Sequence, residues 1–382
     1  MTSAPMLSAL SLFSGAGGMD IGIRQAGFNL LACIEIDPYC CETLRDAVSR
    51  EKLLSQVIER DIREIEPSHL IEDLNLKPGE LDLLFGGSPC QSFSQAGKRG
   101  SLSDERGLLL FEFVRFAAVF KPKSIMIEQV KGILTAADQQ GKAGGVYEQL
   151  INQLKELGYR AKMTIINAAD YGVAQLRERV FIVATELENY FDFPAPTHAK
   201  PAQQLSLFPL QYYRTVGEMI DGLNQPSKNI KNLPKDSHVD ITPPGDRQRI
   251  HGVPEDSYLA KELHLPEKQR CKLTKKDTTK FRRLSFSKPS LTLRCGEIFF
   301  HPIEDRYLTP REYMRIHGYP DNYLLKGPVR GRSGRVRYLD QHRQIANSVP
   351  PPVARIIAEE LSKILTQSQL KSQSLAKEFI RI

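Results

Sequence analysis

The chain has 382 residues, 41% of them hydrophobic and 25% charged, an ordinary globular composition long enough for two domains or for one large domain carrying an insertion. It contains no unbroken apolar stretch long enough to span a bilayer, and the Met1–Phe13 start lacks the basic region of a secretion signal. The six cysteines (Cys33, Cys40, Cys41, Cys90, Cys271 and Cys295) show no paired spacing; zinc, any other metal and a disulfide framework are poor readings, and a reducing cytoplasm fits better.

The first 190 or so residues read as alternating βα units. Short apolar runs that end in small or polar residues predict buried parallel strands at Ala9–Phe13, Leu30–Ile36, Leu81–Phe85 and Ser124–Ile127. Helical patterns lie between them at Arg106–Phe120 and at Tyr147–Leu157, the latter closed by Gly158. The alternation implies an α/β fold with a doubly wound, Rossmann-like sheet. Two further apolar strands follow, Met163–Ala168 and Val180–Ala184, joined by a polar turn.

After Phe193 the texture changes to prolines, lysines and short apolar pieces, with Pro243-Pro244-Gly245 read as a turn. Between Phe193 and Phe300 stand 18 Lys and Arg against 11 Asp and Glu, so the whole formal charge of +7 falls in this segment. A small irregular or β-rich module facing a polyanion, inserted into a neutral scaffold, would have that distribution; so would a solvated basic surface. Regular texture returns near His301. Thr309–His317 reads as a helix with Thr309 as cap, Pro310 at its first position and Gly318 past its end. A last helix is expected over about Pro351–Gln367, with a polar, frayed tail after Ser368. The expected domains are thus 1–192 with 301–382, and 193–300.

Phe13-Ser14-Gly15-Ala16-Gly17-Gly18 follows the first strand and opens a helix, where glycines let a ligand approach the backbone. Glu35 ends the second strand 20 residues after Gly15, the position from which an acid binds ribose hydroxyls. Asp61 is placed to accept from an adenine amino group. These residues indicate an adenosine-containing cofactor, and a tight βα turn is the plainer alternative. The glycine pattern lacks the phosphate cradle of a dinucleotide site.

Gly86-Gly87-Ser88-Pro89-Cys90 leaves the strand Leu81–Phe85, and Glu128 ends Ser124–Ile127. Both therefore fall on the carboxyl edge of the sheet, where ligands bind in such folds. Arg177 and Arg179 precede Val180–Ala184, and an antiparallel course for that strand would return them to the same edge. A thiol, a carboxyl and guanidiniums together suit one reaction. A thiolate adding at cytosine C6 makes C5 nucleophilic, a carboxyl on N3 assists the addition, and a guanidinium on O2 stabilises the developing charge. C6 is hidden in a duplex, so the base must be flipped out.

In these motifs and their order the chain resembles the cytosine-5 DNA methyltransferases of bacterial type, over nearly its whole length outside 193–283. The resemblance implies S-adenosylmethionine as cofactor, held by Phe13, Gly15, Gly17, Gly18, Glu35, Ile36, Asp61 and Ile62 and, from the final motif Gln344–Pro350, by Asn347 and Ser348. Cys90 is the implied nucleophile, with Glu128, Arg177 and Arg179 as its catalytic partners. Pro89-Cys90-Gln91 with Ser94, Lys98 and Arg106 resembles the loop that closes over DNA. Glu128-Gln129-Val130 is similar to a motif usually written Glu-Asn-Val, and Ala346 stands where glycine is usual. Lys288–Thr292 resembles the anchor of a target-recognition domain, which places that domain at 193–300. Lys275, Lys276 and Lys280 are candidate phosphate contacts within the run Arg270–Arg283, and the arginine-rich stretch Gly327–Arg337 is a second candidate.

The implied function is methyl transfer to a flipped cytosine in a short double-stranded DNA sequence, in the cytoplasm at the bacterial nucleoid. The implied enzyme is a monomer with a cognate restriction endonuclease acting separately. A tRNA cytosine-5 methyltransferase, an inactive DNA-binding paralogue and a nicotinamide oxidoreductase are the alternatives. The first would be expected to lack the basic insert, the second to lose Cys90, Glu128 or Arg179, and the third does not account for the Pro-Cys-Gln loop.

Overall fold

In a computed structural model the described residues are 6–89, 109–186, 190–200, 210–229, 234–258, 266, 281–330 and 338–379, with side chains described to residue 369. They divide into two compact units. The first comprises Met1–Ile166, Glu178–Ala195 and Val353–Ile382; the second comprises Asn167–Arg177 and Pro196–Pro352.

Seven strands build the first unit: β1 (Ser8–Leu12), β2 (Asn29–Glu35), β3 (Gln56–Glu59), β4 (Leu83–Gly86), β5 (Ser124–Gln129), β6 (Tyr159–Asn167) and, after a two-residue strand β7 (Gln175–Leu176) of the second unit, β8 (Glu178–Glu186). Their order across the sheet is β3-β2-β1-β4-β5-β8-β6. Pairing is parallel from β3 through β5, and β8 runs antiparallel to β5 with Glu128 opposite Phe181 and Gln129 opposite Val180. All of β4 and β5 is buried, which is why those strands are continuous apolar runs without polar alternation.

Helices cover the sheet: α1 (Gly18–Gln25), α2 (Pro38–Glu51), α3 (Pro67–Asp73), α4 (Glu112–Phe120) and α5 (Gly145–Glu156). The core gathers Leu10, Leu12, Ile34, Leu84, Phe113, Phe116, Ile125, Leu150 and Ile182. β3 and α2 have no counterpart in the sequence reading. The start of α2 is nevertheless set locally, by Pro38 at its first turn and by the Asp37 carboxylate accepting from Tyr39 N and Cys40 N at 3.0 and 3.1 Å. The helix expected at Arg106–Phe120 is described from Glu112 only, after a 3-10 turn at Leu109–Phe111.

The second unit is made of short pieces. After β9 (His198–Ala199) and β10 (Gln211–Tyr212) come α6 (Val216–Ile220), α7 (Pro244–Ile250), β11 (Ser290–Leu291), α8 (Pro310–His317) and α9 (Gln341–Asn347). The expected turn at Pro243-Pro244-Gly245 instead opens α7, because a proline at the first helical position gives up no hydrogen bond. α8 has the expected cap: Thr309 and Glu312 form a capping box, and Gly318 adopts φ 86° beyond the end. A final helix, α10 (Pro351–Phe379), belongs to the first unit from Val353 onward and runs well past the expected Gln367, so that residues 368–379, expected as a tail, are helical. Its buried Ala354, Ile357, Ala358, Leu361 and Leu365 form a stripe at helical spacing.

Candidate active site at the sheet edge

From β1 the sheet is extended to one side by β2 and β3 and to the other by β4 and β5, so β1 and β4 flank its switch point. Leu12 pairs with Gly86 and with Ile34, and Gly86 pairs with Ile127. The segments that begin at Phe13, Glu35, Gly87 and Glu128 therefore leave one edge side by side, at strand spacings of about 4.8 Å. Gly86 is required here, because a Cβ on it would fall 1.9 Å from the Leu12 carbonyl oxygen.

On the β1–β3 side the turn at Phe13–Gly18 is left-handed at three positions: Phe13 (φ 55°), Gly15 (φ 54°) and Gly17 (φ 75°). For Phe13 this is a strained conformation, held while its ring packs against Phe113 with centroids 5.9 Å apart. Gly15 N donates to Glu35 Oε2 at 2.7 Å, and Ile36 N and Asp37 N donate to Glu35 Oε1 at 2.9 and 2.8 Å. Glu35 thus ties the two turns together. Burial raises its pKa, and those three amide bonds act against the rise. Ile36 beside it is 60% exposed, an apolar side chain turned to solvent.

Asp61 caps a 3-10 turn (Ile62–Glu64) and bonds the Arg63 guanidinium, which lowers its pKa. The Ile62 side chain is buried in the core, and only its backbone is left for a ligand.

Beneath the turn lies a feature the sequence reading missed. Asp20, on the buried face of α1, accepts from Ser11 Oγ at 2.5 Å, and Ser14 Oγ donates to Ser11 Oγ at 2.8 Å. Burial lifts the Asp20 carboxyl to about 7. An acid among Met19, Ile21 and Ile23 on an apolar helix face was the available signal.

On the β4–β8 side Glu128 is buried and its Oε1 lies 3.1 Å from Arg179 Nε, because the antiparallel pairing returns the start of β8 to the end of β5. Glu128 Oε2 lies 3.0 Å from where a Cβ on Gly87 would stand, so the carboxylate sits against the segment leaving β4. Gln129 is fully buried; its Nε2 donates to Ser88 O at 3.0 Å and Ser88 Oγ at 2.9 Å, and Val130 N donates to its Oε1 at 2.9 Å. Glutamine at this position therefore anchors Ser88, which stands just ahead of Pro89 and Cys90 in the chain.

Cys90, Ser94, Lys98, Arg106, Lys275, Lys276 and Lys280 lie outside the described residues, as do Arg332, Arg335 and Arg337. Among the described cysteines, Cys33, Cys40 and Cys41 are buried, and burial raises their thiols (Cys41 to about 12), whereas Cys295 is exposed.

The remaining candidates belong to the second unit. Arg177 Nη2 donates to Ser348 O at 3.0 Å, so the two guanidiniums of the Gln175–Arg179 motif have different partners. Asn347 is exposed at the end of α9 and accepts from Cys295 Sγ at 2.7 Å. Ala346 is buried in that helix, which accommodates its methyl group. No cluster of His, Cys, Asp and Glu suited to a metal occurs among the described residues.

Residues 7–363 match the family model for C-5 cytosine-specific DNA methylases. The chain belongs to this family. As a member it is a DNA (cytosine-5) methyltransferase. Similar proteins include the type II methyltransferase M1.HphI of Haemophilus parahaemolyticus, 30% identical over 376 residues covering 94% of this chain and 88% of the relative. The type II methyltransferase M.Eco47II of Escherichia coli is 32% identical over 371 residues, covering 94% and 79%. Among solved structures, a protein assigned as a prophage-encoded DNA modification methyltransferase (E. coli) superposes with a TM-score of 0.68 at 21% identity, covering 94% of this methyltransferase and 99% of that chain. That likeness is one of fold. It agrees with the doubly wound, mostly parallel sheet expected from the sequence. No described helix is long and apolar enough to cross a membrane.

Proposed function

We propose that the chain methylates C5 of a cytosine flipped out of a specific short double-stranded DNA sequence, through a covalent bond between Cys90 Sγ and C6. The observation that carries this reading is the paired Glu128 carboxylate and Arg179 guanidinium, 3.1 Å apart at the end of β5 and against the segment that leads to Cys90. An acid and a cation in one place match the acceptor–donor face of cytosine. Glu128 engages N3 and the exocyclic amine, which favours thiolate addition at C6, while Arg179 meets O2, where charge accumulates. Once C5 has taken the methyl group, loss of the C5 proton and elimination of the Cys90 thiolate release the product and the enzyme. Burial raises the thiols of Cys33, Cys40 and Cys41 and makes them poor nucleophiles.

S-adenosylmethionine supplies the methyl group from its sulfonium. The residues present fit it: a Cβ on Gly15 would meet nothing within 4 Å, and Ile36 offers an exposed apolar surface beside the Glu35 carboxylate. The backbone of the Phe13–Gly18 turn faces the methionine part, Glu35 the ribose, and Ile36 with Asp61 and the Ile62 backbone the adenine. Asn347 and Ser348 of the final motif are read as further cofactor-binding residues. Residues 193–300, which carry the net charge of +7, serve as the target-recognition domain. Lys275, Lys276 and Lys280, together with Ser94, Lys98 and Arg106 of the catalytic loop, contact DNA. Similar proteins are named as type II methyltransferases, which supports a bacterial modification enzyme; a monomeric state, a cytoplasmic place and a separate restriction endonuclease complete the proposal.

The test is covalent trapping. A duplex carrying 5-fluorocytosine at the methylated site should hold the wild-type protein irreversibly when S-adenosylmethionine is present, since fluorine does not leave as a proton does. Cys90→Ser should abolish the adduct and the turnover while retaining cofactor affinity. An adduct formed by Cys90→Ser overturns the assignment, and methylation of tRNA in preference to DNA would favour the RNA-directed alternative.

A further inference from the structure

His317 closes α8, is fully buried, and touches two of the motifs that the second unit contributes. Its Nε2 stands 3.0 Å from Ser348 O, and its Nδ1 stands 2.9 Å from Gln175 Nε2. A carbonyl oxygen can only accept, so Nε2 carries the proton and Nδ1 is the acceptor. The Gln175 amide agrees with that tautomer: its Oε1 accepts from Leu293 N at 3.1 Å, which leaves Nε2 facing the imidazole. Arg177 Nη2 donates to the same Ser348 carbonyl at 3.0 Å. Gln175 also pairs with Ser290, and Leu176 O accepts from Thr292 Oγ1 at 2.7 Å. The imidazole therefore joins Gln175–Arg177 to Asn347–Ser348, and Gln175 and Leu176 in turn hold Ser290–Leu293.

We propose that His317 is a positioning residue for the methyl-transfer reaction: by donating to Ser348 O it sets the main chain of Asn347–Ser348 against Gln175–Arg177. The ring also stacks on Tyr319, with centroids 6.0 Å apart, and what distinguishes it from a histidine held by packing alone is that its two partners come from two separate motifs. Ser348 Oγ is turned to Ile345 O at 2.8 Å, so the backbone carbonyl, held by His317 and Arg177, fixes where this turn stands. The proposal rests on the reading of Asn347 and Ser348 as cofactor-binding residues.

The two ring nitrogens can be separated by substitution. In His317→Gln the amide nitrogen reaches the place of Nε2 and keeps the donor to Ser348 O. In His317→Asn the amide oxygen takes the place of Nδ1, keeping the Gln175 contact and losing the Ser348 one. Calorimetry of S-adenosylmethionine binding and steady-state kinetics on a cognate duplex should be run on both, together with thermal unfolding. Losing one buried hydrogen bond at the turn predicts about a tenfold rise in Kd and KM for the cofactor in His317→Asn, a smaller change in kcat, and recovery of most of the affinity in His317→Gln. Equal losses in the two variants, tracking their melting temperatures and falling on kcat as much as on KM, would make His317 a packing residue and overturn the proposal. Unchanged cofactor affinity in His317→Asn overturns it as well. Asn347→Ala separates the two levels. If it binds the cofactor normally, the reading of the final motif fails; if it is impaired while His317→Asn is not, only the role of His317 fails.

Discussion

In the first unit the side chains that exclude water are hydrocarbon: Leu10, Leu12, Leu84, Phe113, Phe116 and Ile125 meet in one cluster between sheet and helices. In the second unit one of the largest fully buried side chains is an arginine. Arg311 donates to three carbonyls, those of Asp236, Asp321 and Tyr323, at 2.8 to 3.1 Å. Arg306 clasps Glu312 through two bonds of 2.8 and 2.7 Å with both side chains almost wholly buried. Glu312 in turn closes the capping box of α8. The second unit buries apolar side chains too, among them Phe299, Leu308, Tyr313, Met314 and Ile316, but it also ties its short elements together by polar bonds between residues distant in sequence, such as Arg311 to Asp236. Hydrocarbon packing responds to volume, whereas a buried polar network responds to the loss of any one partner.

That contrast is broken most severely at Arg306. Arg306→Ala leaves Glu312 buried without its cation and should destabilise the second unit by about 3–5 kcal/mol. Calorimetry should show its transition falling in temperature, while limited proteolysis leaves the first unit protected; an unmoved transition would mean that the pair contributes nothing to stability.

The first unit also buries polar groups, and at one of them, Asp20, pH exposes the cost. Burial raises the Asp20 carboxyl to about 7, so the folded chain holds a proton that the unfolded chain releases near pH 4. Stability contributed at Asp20 must therefore fall as pH rises from about 4 to about 7 and then level off, by an amount on the order of 4 kcal/mol. Asp20→Asn should flatten that slope in urea titrations made across this range. A slope equal to that of the wild type would locate the titration elsewhere.

The smallest effect sharpens the comparison from the other side. Leu84→Met conserves volume in the apolar cluster and should cost less than about 1.5 kcal/mol. Arg306→Lys, formally as conservative, loses the two-pronged fit to Glu312 and should cost more than Leu84→Met. Denaturant midpoints of the two variants give the order directly, and the reverse order would remove the distinction between the units.

Sequence alone was enough to locate the sheet and its carboxyl edge. Buried parallel strands are near-continuous apolar runs, so β1, β2, β4 and β5 were legible within a residue or two, and the residue that ends such a strand necessarily lies at the carboxyl edge. Glu35 and Glu128 were found by that rule. The cap of α8 was equally readable, since Thr309, Pro310, Glu312 and Gly318 act within one segment. β3 escaped because its four residues, Gln56–Glu59, are half polar, and α7 was taken for a turn because proline marks both.

Tertiary structure decided the rest. It paired Glu128 with Arg179 by running β8 antiparallel to β5, and it gave Arg177 a different partner although both arginines share one motif. It also placed Ser88 under Gln129, Asp20 under the glycine turn, and His317 between Gln175 and Ser348. Periodicity records which way a side chain faces along its own element. It carries no record of hydrogen bonds between residues 31, 41 or 142 positions apart, because those depend on how separate elements are brought together.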